Sequence, residues 1–124
     1  MQEELKTFFD AYRDSFPEGA AAIAAFYSEP CMTARPGVVR VNATLAELTL
    51  LFTEIDRQYR ARGYVRGEYE ILDHCRLGAN AALATVRWLY KGAGGDTIWK
   101  TTFSYNLYRR DGALKILVQT MHDD

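Results

Sequence analysis

The sequence predicts an α+β fold in which one curved sheet wraps around a long helix, with two shorter helices ahead of it. Three observations predict it. Apolar residues recur at helical spacing in three stretches of the first half, and a Pro-Gly hairpin interrupts them. From residue 64 onward the apolar period becomes two. The resulting element order is ααββαββββ.

Leu5, Phe8, Phe9, Tyr12 and Phe16 recur at helical spacing, so residues 3–15 read as a helix with an aromatic stripe. Pro17 suits the first turn of a second helix, which Ala20 to Ala25 carry on to Phe26 and Pro30 stops. Residues 31–35 and 38–42 read as two short strands around the turn pair Pro36-Gly37. Thr44 and Glu47 fit a capping box, in which hydroxyl and carboxylate each take up a backbone N–H left free at a helix start. Leu48, Leu51, Phe52, Ile55 and Tyr59 then form one apolar face, and Gly63 stands where a left-handed residue ends the helix. Residues 64–77, 80–91, 97–110 and 113–122 alternate and are rich in β-branched and aromatic residues. The turns between them, at Gly78-Ala79-Asn80, Gly92 to Asp96 and Asp111-Gly112, are short enough to force an antiparallel meander.

With 124 residues, of which 48% are apolar, residues 1–124 read as a single domain able to bury its own core. A net charge of −1 argues against nucleic acid and membrane surfaces as partners, since both call for a strong basic excess. The densest basic run, Arg57, Arg60, Arg62 and Arg66, interleaves with Glu54, Asp56, Glu68 and Glu70 and reads as a solvated face. No apolar run approaches the roughly 20 residues that span a bilayer. The start, Met1-Gln2-Glu3-Glu4, lacks the basic region of a signal peptide, so a cytoplasmic location is expected. Cys31, Cys75, His74 and His122 have no metal-ligand spacing. No metal and no cofactor is expected, and both thiols read as free, half-buried side chains.

Strands this long must twist and bend, which gives the sheet a concave and a convex face. Ala82, Ala84, Val86, Trp88 and Tyr90 share one face of their strand, while Leu83, Thr85, Arg87 and Leu89 share the other. Neither face is cleanly polar, so a second copy of the chain is expected to cover the outer one. Thr101, Phe103, Tyr105 and Leu107 read as inward, with Trp99 leading in. Any one of these aromatic residues fits a plain core. As a group, with Trp88, Tyr12 and Phe52, they read as the wall of a small-molecule pocket.

The element order, together with Phe8-Phe9-Asp10-Ala11-Tyr12, Phe26-Tyr27-Ser28-Glu29-Pro30 and the run from Arg109 to Ile116, resembles the nuclear-transport-factor-2-like superfamily over nearly the whole chain. That group includes ketosteroid isomerases, SnoaL-like cyclases and limonene epoxide hydrolases. The resemblance implies a cone-shaped, commonly dimeric fold that hosts many unrelated activities. Isomerase-like members carry a carboxylate base near the early hairpin turn, but Met32-Thr33-Ala34-Arg35-Pro36 contains none, leaving Glu29 as a substitute. Hydrolase-like members pair an Arg with an acid two residues on, and Arg87-Trp88-Leu89 has Leu there. Cyclase-like members use an acid on the last strand, where Gln119-Thr120-Met121 has none and Asp123 lies two residues beyond.

The candidate catalytic groups are therefore Tyr12, in the place of an oxyanion-stabilising phenol, Tyr105 as a hydrogen-bond donor, and His122 or Asp123 folded over the mouth. Asp73 and His74 are adjacent on one strand and face opposite sides unless a bulge intervenes. The candidate ligand-binding residues are Tyr12, Phe52, Trp88, Trp99, Phe103, Tyr105 and Gln119, although register alone does not choose between Gln119 and Thr120. The leading expectation is a domain that binds a small, largely apolar ligand, with catalysis of its own left open. The alternative is a SnoaL- or isomerase-like enzyme doing acid–base chemistry on a carbonyl-bearing or polycyclic substrate.

Overall fold

The computed structural model describes residues 2–123. Helix α1 (Gln2–Ser15) leads through a 3-10 turn (Phe16–Glu18) into a short α2 (Ala20–Ala24). The hairpin β1 (Tyr27–Arg35) and β2 (Val38–Asn42) follows, then the long helix α3 (Leu45–Ala61). Four strands complete the chain: β3 (Arg66–Leu77), β4 (Ala81–Lys91), β5 (Thr97–Arg110) and β6 (Ala113–Met121). The six strands form one curved, unclosed sheet in the order β2-β1-β6-β5-β4-β3. β1 runs parallel to β6, and every other neighbouring pair is antiparallel.

The Thr44–Glu47 capping box forms with its carboxylate reaching one residue beyond the N-cap. Glu47 N–H donates to Thr44 Oγ1 at 3.2 Å, and Glu47 Oε2 accepts from Ala43 N–H at 2.8 Å. Glu29 reaches the same helix end, its Oε2 accepting from Leu45 N–H at 2.6 Å. At the other end Gly63, at φ 97°, reverses the chain.

The second helix is shorter than its sequence predicts. It stops at Ala24, and β1 starts at Tyr27 and passes through Pro30 instead of beginning at residue 31. Burial decides this: Tyr27 sinks into the core at 2% exposure, and Ile116 N–H donates to Phe26 O at 2.9 Å to join this segment to β6. Pro30 lies where the β1–β6 register breaks, between Tyr27 and Met32, and β2 pairs only from Cys31 onward. Its missing N–H therefore removes no ladder bond. The thiols also depart from expectation, since Cys31 is buried and Cys75 exposed, both of them free.

Register shifts occur between Ile71 and Asp73 in β3, beside Lys91 in the β4–β5 pairing, and between Asn106 and Leu107 in β5–β6. Each adds twist and bend, curving the sheet over α1 and α3. Arg109 Nη1 and Nη2 donate to the Glu4 carboxylate at 2.7 and 3.1 Å, holding α1 against β5. Lys115 Nζ donates to Ala25 O at 2.7 Å behind α2. No helix among the described residues is long and apolar enough to cross a membrane.

Candidate functional site

The concave face is packed solid at one end and open at the other. At the open end lies a cavity of about 70 Å³. Its wall takes Tyr12 from α1, Phe52 from α3, Trp88 and Tyr90 from β4, Phe103 and Tyr105 from β5, Gln119 from β6 and Arg35 from β1. Ile55, Asp56 and Tyr59 of α3, half-buried, contribute the outer part. The volume is several times the ~10–15 Å³ that one water needs and well below the ~300 Å³ where pockets for drug-sized ligands begin.

Alternation explains most of the wall. On β4 and β5 the residues facing α3 are the even-numbered run ending at Trp88 and Tyr90 and the odd-numbered pair Phe103 and Tyr105, all buried. On β6 the inward positions run Leu114, Ile116, then Gln119, because Leu117 is the unpaired extra residue opposite Asn106 and Leu107. That bulge turns Gln119 inward at 3% exposure and leaves Thr120 exposed. On β1, Cys31 and Thr33 are buried, so the period of two brings Arg35 to the same side.

The polar atoms of the wall form short chains. Gln119 Nε2 donates to Tyr27 Oη at 2.9 Å, and Tyr27 and Tyr12 share a hydrogen bond of 2.6 Å between hydroxyls. Trp88 Nε1 donates to Tyr105 Oη at 2.8 Å. The Tyr12–Tyr27 pair carries two phenolic protons, and the bond between them uses one. Burial pushes the Tyr12 phenol well above its ordinary pKa of 10, and the neighbouring Tyr27 adds to the shift. Burial does the same to Tyr105 and Tyr27, with a neighbouring tyrosine the next contribution in each case. These phenols are neutral near pH 7, so they donate hydrogen bonds and do not act as bases.

Arg35 is the unusual member. Its guanidinium lies 5.5 Å from the Phe103 ring centre, and Nε is buried with no hydrogen-bond partner. Among the described residues no carboxylate forms an ion pair with it. Asp56, the carboxylate of the lining, is held by Arg60 Nε at 3.0 Å. Gln119 Oε1 is likewise buried and unpartnered.

The structure brings Tyr12, Phe52, Trp88, Phe103, Tyr105 and Gln119 around this one cavity. It places the other expected site residues elsewhere. Trp99 stacks behind the wall on Tyr90, at 4.6 Å between ring centres, under the Arg62 guanidinium at 3.7 Å. His122 does not fold over the mouth. Its Nε2 lies 2.8 Å from Ser104 Oγ, which is 2.9 Å from Thr85 Oγ1, and both strand residues belong to the opposite face of the sheet from Phe103 and Tyr105. Asp123 is exposed beyond it. Asp73 and His74 are exposed, and Asp73 Oδ1 accepts from the His74 backbone N–H. Glu29 is committed to the α3 N-terminus. Sequence reasoning missed Arg35, Tyr27, Tyr59 and Tyr90 as site residues; for Arg35 the spacing Cys31, Thr33, Arg35 was the available signal.

An unclosed sheet cupped over a long helix is also what comparison with known proteins returns. Residues 2–124 match the family described as NTF2-like protein (DUF6841). The chain belongs to that family. No sequence match was found among curated proteins. Among solved structures, an NTF2-like protein of unknown function from Shewanella oneidensis MR-1 aligns with a TM-score of 0.76 at 17% identity, covering 98% of each chain. A domain of unknown function with a cystatin-like fold from Nostoc punctiforme gives 0.78 at 15% identity, over 99% of this chain and 76% of that one. Aln2 from a Streptomyces species gives 0.74 at 11% identity, over 98% and 89%. At these identities the likeness is one of fold, the NTF2-like cone.

Proposed function

We propose that this NTF2-like chain binds a small, largely apolar molecule in the aromatic cavity and carries no proton-transfer step of its own. The observation that supports this reading is the kind of group facing the cavity. Neutral phenols, an indole, an amide and a permanently charged guanidinium surround it, and none of these exchanges protons readily near pH 7. Asp56 is tied to Arg60. The volume favours an occupant of about one ring or a short chain over a polycyclic one.

Calorimetric titration with benzyl alcohol, a neutral one-ring probe, tests this reading. The parent protein and His122→Ala are expected to bind it alike, because His122 lies on the other face of the sheet. Ile55→Trp, which places a bulky ring at the outer wall, is expected to abolish binding. Equal behaviour of the two variants counts against the pocket.

The same reading includes a homodimer through the outer sheet face. Leu83 and Tyr108 are exposed there at 43% and 44%, beside half-buried Leu89, and a second copy would cover them. Sedimentation is expected to give a dimer at micromolar concentration and a monomer for Leu83→Glu. A parent monomer overturns this part.

A further inference from the structure

We propose that the occupant of the cavity is a carboxylate, with Arg35 as its anchor and the ring or chain of the ligand against the aromatic walls. The proposal rests on the binding reading above and names the chemical class that reading leaves open. A buried guanidinium N–H without an acceptor is costly, because water no longer solvates it and no protein group replaces water. Arg35 Nε is in that position. The Phe103 ring, its centre 5.5 Å from the guanidinium carbon, answers the charge but gives Nε–H no lone-pair acceptor. What an arginine lacks under those conditions is a planar acceptor with two oxygens, which a carboxylate supplies with matching geometry.

The rest of the wall has the same imbalance. The Tyr12–Tyr27 pair accepts from Gln119 and uses one phenolic proton internally, leaving a second O–H to donate. Two unpaired donors, the Arg35 Nε–H and this phenolic O–H, thus stand against one buried unpaired acceptor, Gln119 Oε1, an excess that suits an anion better than an amine. A single negative charge also fits better than a phosphate dianion. Arg35 is the lone cation of the described lining, and Asp56 on the same wall opposes further negative charge. The apolar remainder, Phe52, Trp88 and Phe103, requires that the carboxylate carry a hydrocarbon part.

Isothermal titration of the full chain with benzoate, benzyl alcohol and inorganic phosphate tests the proposal. Benzoate is expected to bind at least tenfold more tightly than benzyl alcohol, with phosphate weaker than either. Arg35→Met is expected to lower benzoate affinity at least tenfold and so erase its advantage over benzyl alcohol. Arg35→Lys, which keeps charge but loses the planar fork, is expected to lose at least threefold for benzoate and carries the comparison if Arg35→Met does not fold. A benzoate preference that survives both substitutions overturns the proposal, as does phosphate binding more tightly than benzoate. Benzyl alcohol bound without any benzoate preference sinks the carboxylate and leaves the apolar pocket standing. Failure of both one-ring probes on the parent protein sinks the two readings together.

Discussion

The two ends of the concave face are built from the same strands by the same alternation, yet they do opposite things. Toward the α1 end, Leu5, Phe9, Ala82, Leu107 and Ile116 are sealed at 0% exposure within the hydrophobic core. Toward the Arg35 end, the next inward residues along β4, β5 and β6 are Trp88, Tyr105 and Gln119, each carrying a polar atom into the interior. The packed end derives its stability from contact, as close-packed interiors do. The open end holds its shape by a few directional bonds between large rings, and space is left over. What separates them is side-chain identity at the inward positions of β4 and β5, together with the β6 bulge that turns Gln119 in.

The sharpest way to break the contrast is alkaline titration. Four phenols at or near the open end, Tyr12, Tyr27, Tyr90 and Tyr105, are held well above the ordinary value of 10 by burial. The unfolded chain ionises them first, so their contribution is complete below pH 10 and is lost as pH rises beyond it. The loss is about 1.4 kcal/mol per pH unit for a group that stays protonated when folded and is ionised when unfolded. Phenolate absorbance and far-UV dichroism are expected to change in one joint transition. Phenols that titrate one by one in a folded protein would mean that the open end is wet.

The second test compares truncations. Leu107→Ala at the packed end is expected to cost about 2–5 kcal/mol in urea unfolding, with an added cavity that cannot collapse. Ile55→Ala is expected to cost less than about 2 kcal/mol, because Ile55 is half-buried and already borders empty space. Equal losses would erase the distinction. The smallest effect belongs to the Glu4–Arg109 clamp that holds α1 over the packed end. Its hydrogen bonds from Arg109 lower the Glu4 carboxyl below its ordinary 4.5. The stabilisation is present above pH 4.5 and disappears as pH falls through the lowered value. Because the pair is only half-buried, solvent and salt screen it. Glu4→Gln is expected to flatten the acid limb of a stability-against-pH curve slightly, and added salt to shrink the difference.

Much of this was legible beforehand, for identifiable reasons. The α3 capping box and Gly63 are local signals, and both form. The faces of β4 and β5 follow from uninterrupted alternation, which is why Trp88, Phe103 and Tyr105 could be placed on one wall. Gln119 could not be preferred over Thr120, because the deciding event is an extra residue at Leu117, and a bulge leaves no reliable mark in one sequence. The start of β1 at Tyr27 was hidden for a related reason: the alanine run of α2 reads as helix through to its aromatic end, and only pairing with β6 makes Tyr27 the start of a strand. Arg35 was visible by spacing, but its segment draws attention to the carboxylate it lacks and not to the cation it supplies. His122 illustrates a terminus, where tertiary contact with Ser104 settles what periodicity leaves free.

The stacking of Trp99 on Tyr90, with Tyr59 edge-on to both at about 5 Å, leaves these chromophores in one fixed asymmetric arrangement. Trp88 is similarly locked among Phe16, Tyr69 and Tyr12. Both tryptophans of the chain thus belong to rigid ring clusters on either side of the cavity wall. Near-ultraviolet dichroism depends on such rigidity, and it vanishes when packing melts while backbone structure persists. The molecule therefore carries its own gauge of side-chain order, one that separates a loosened interior from an unfolded one without any added label.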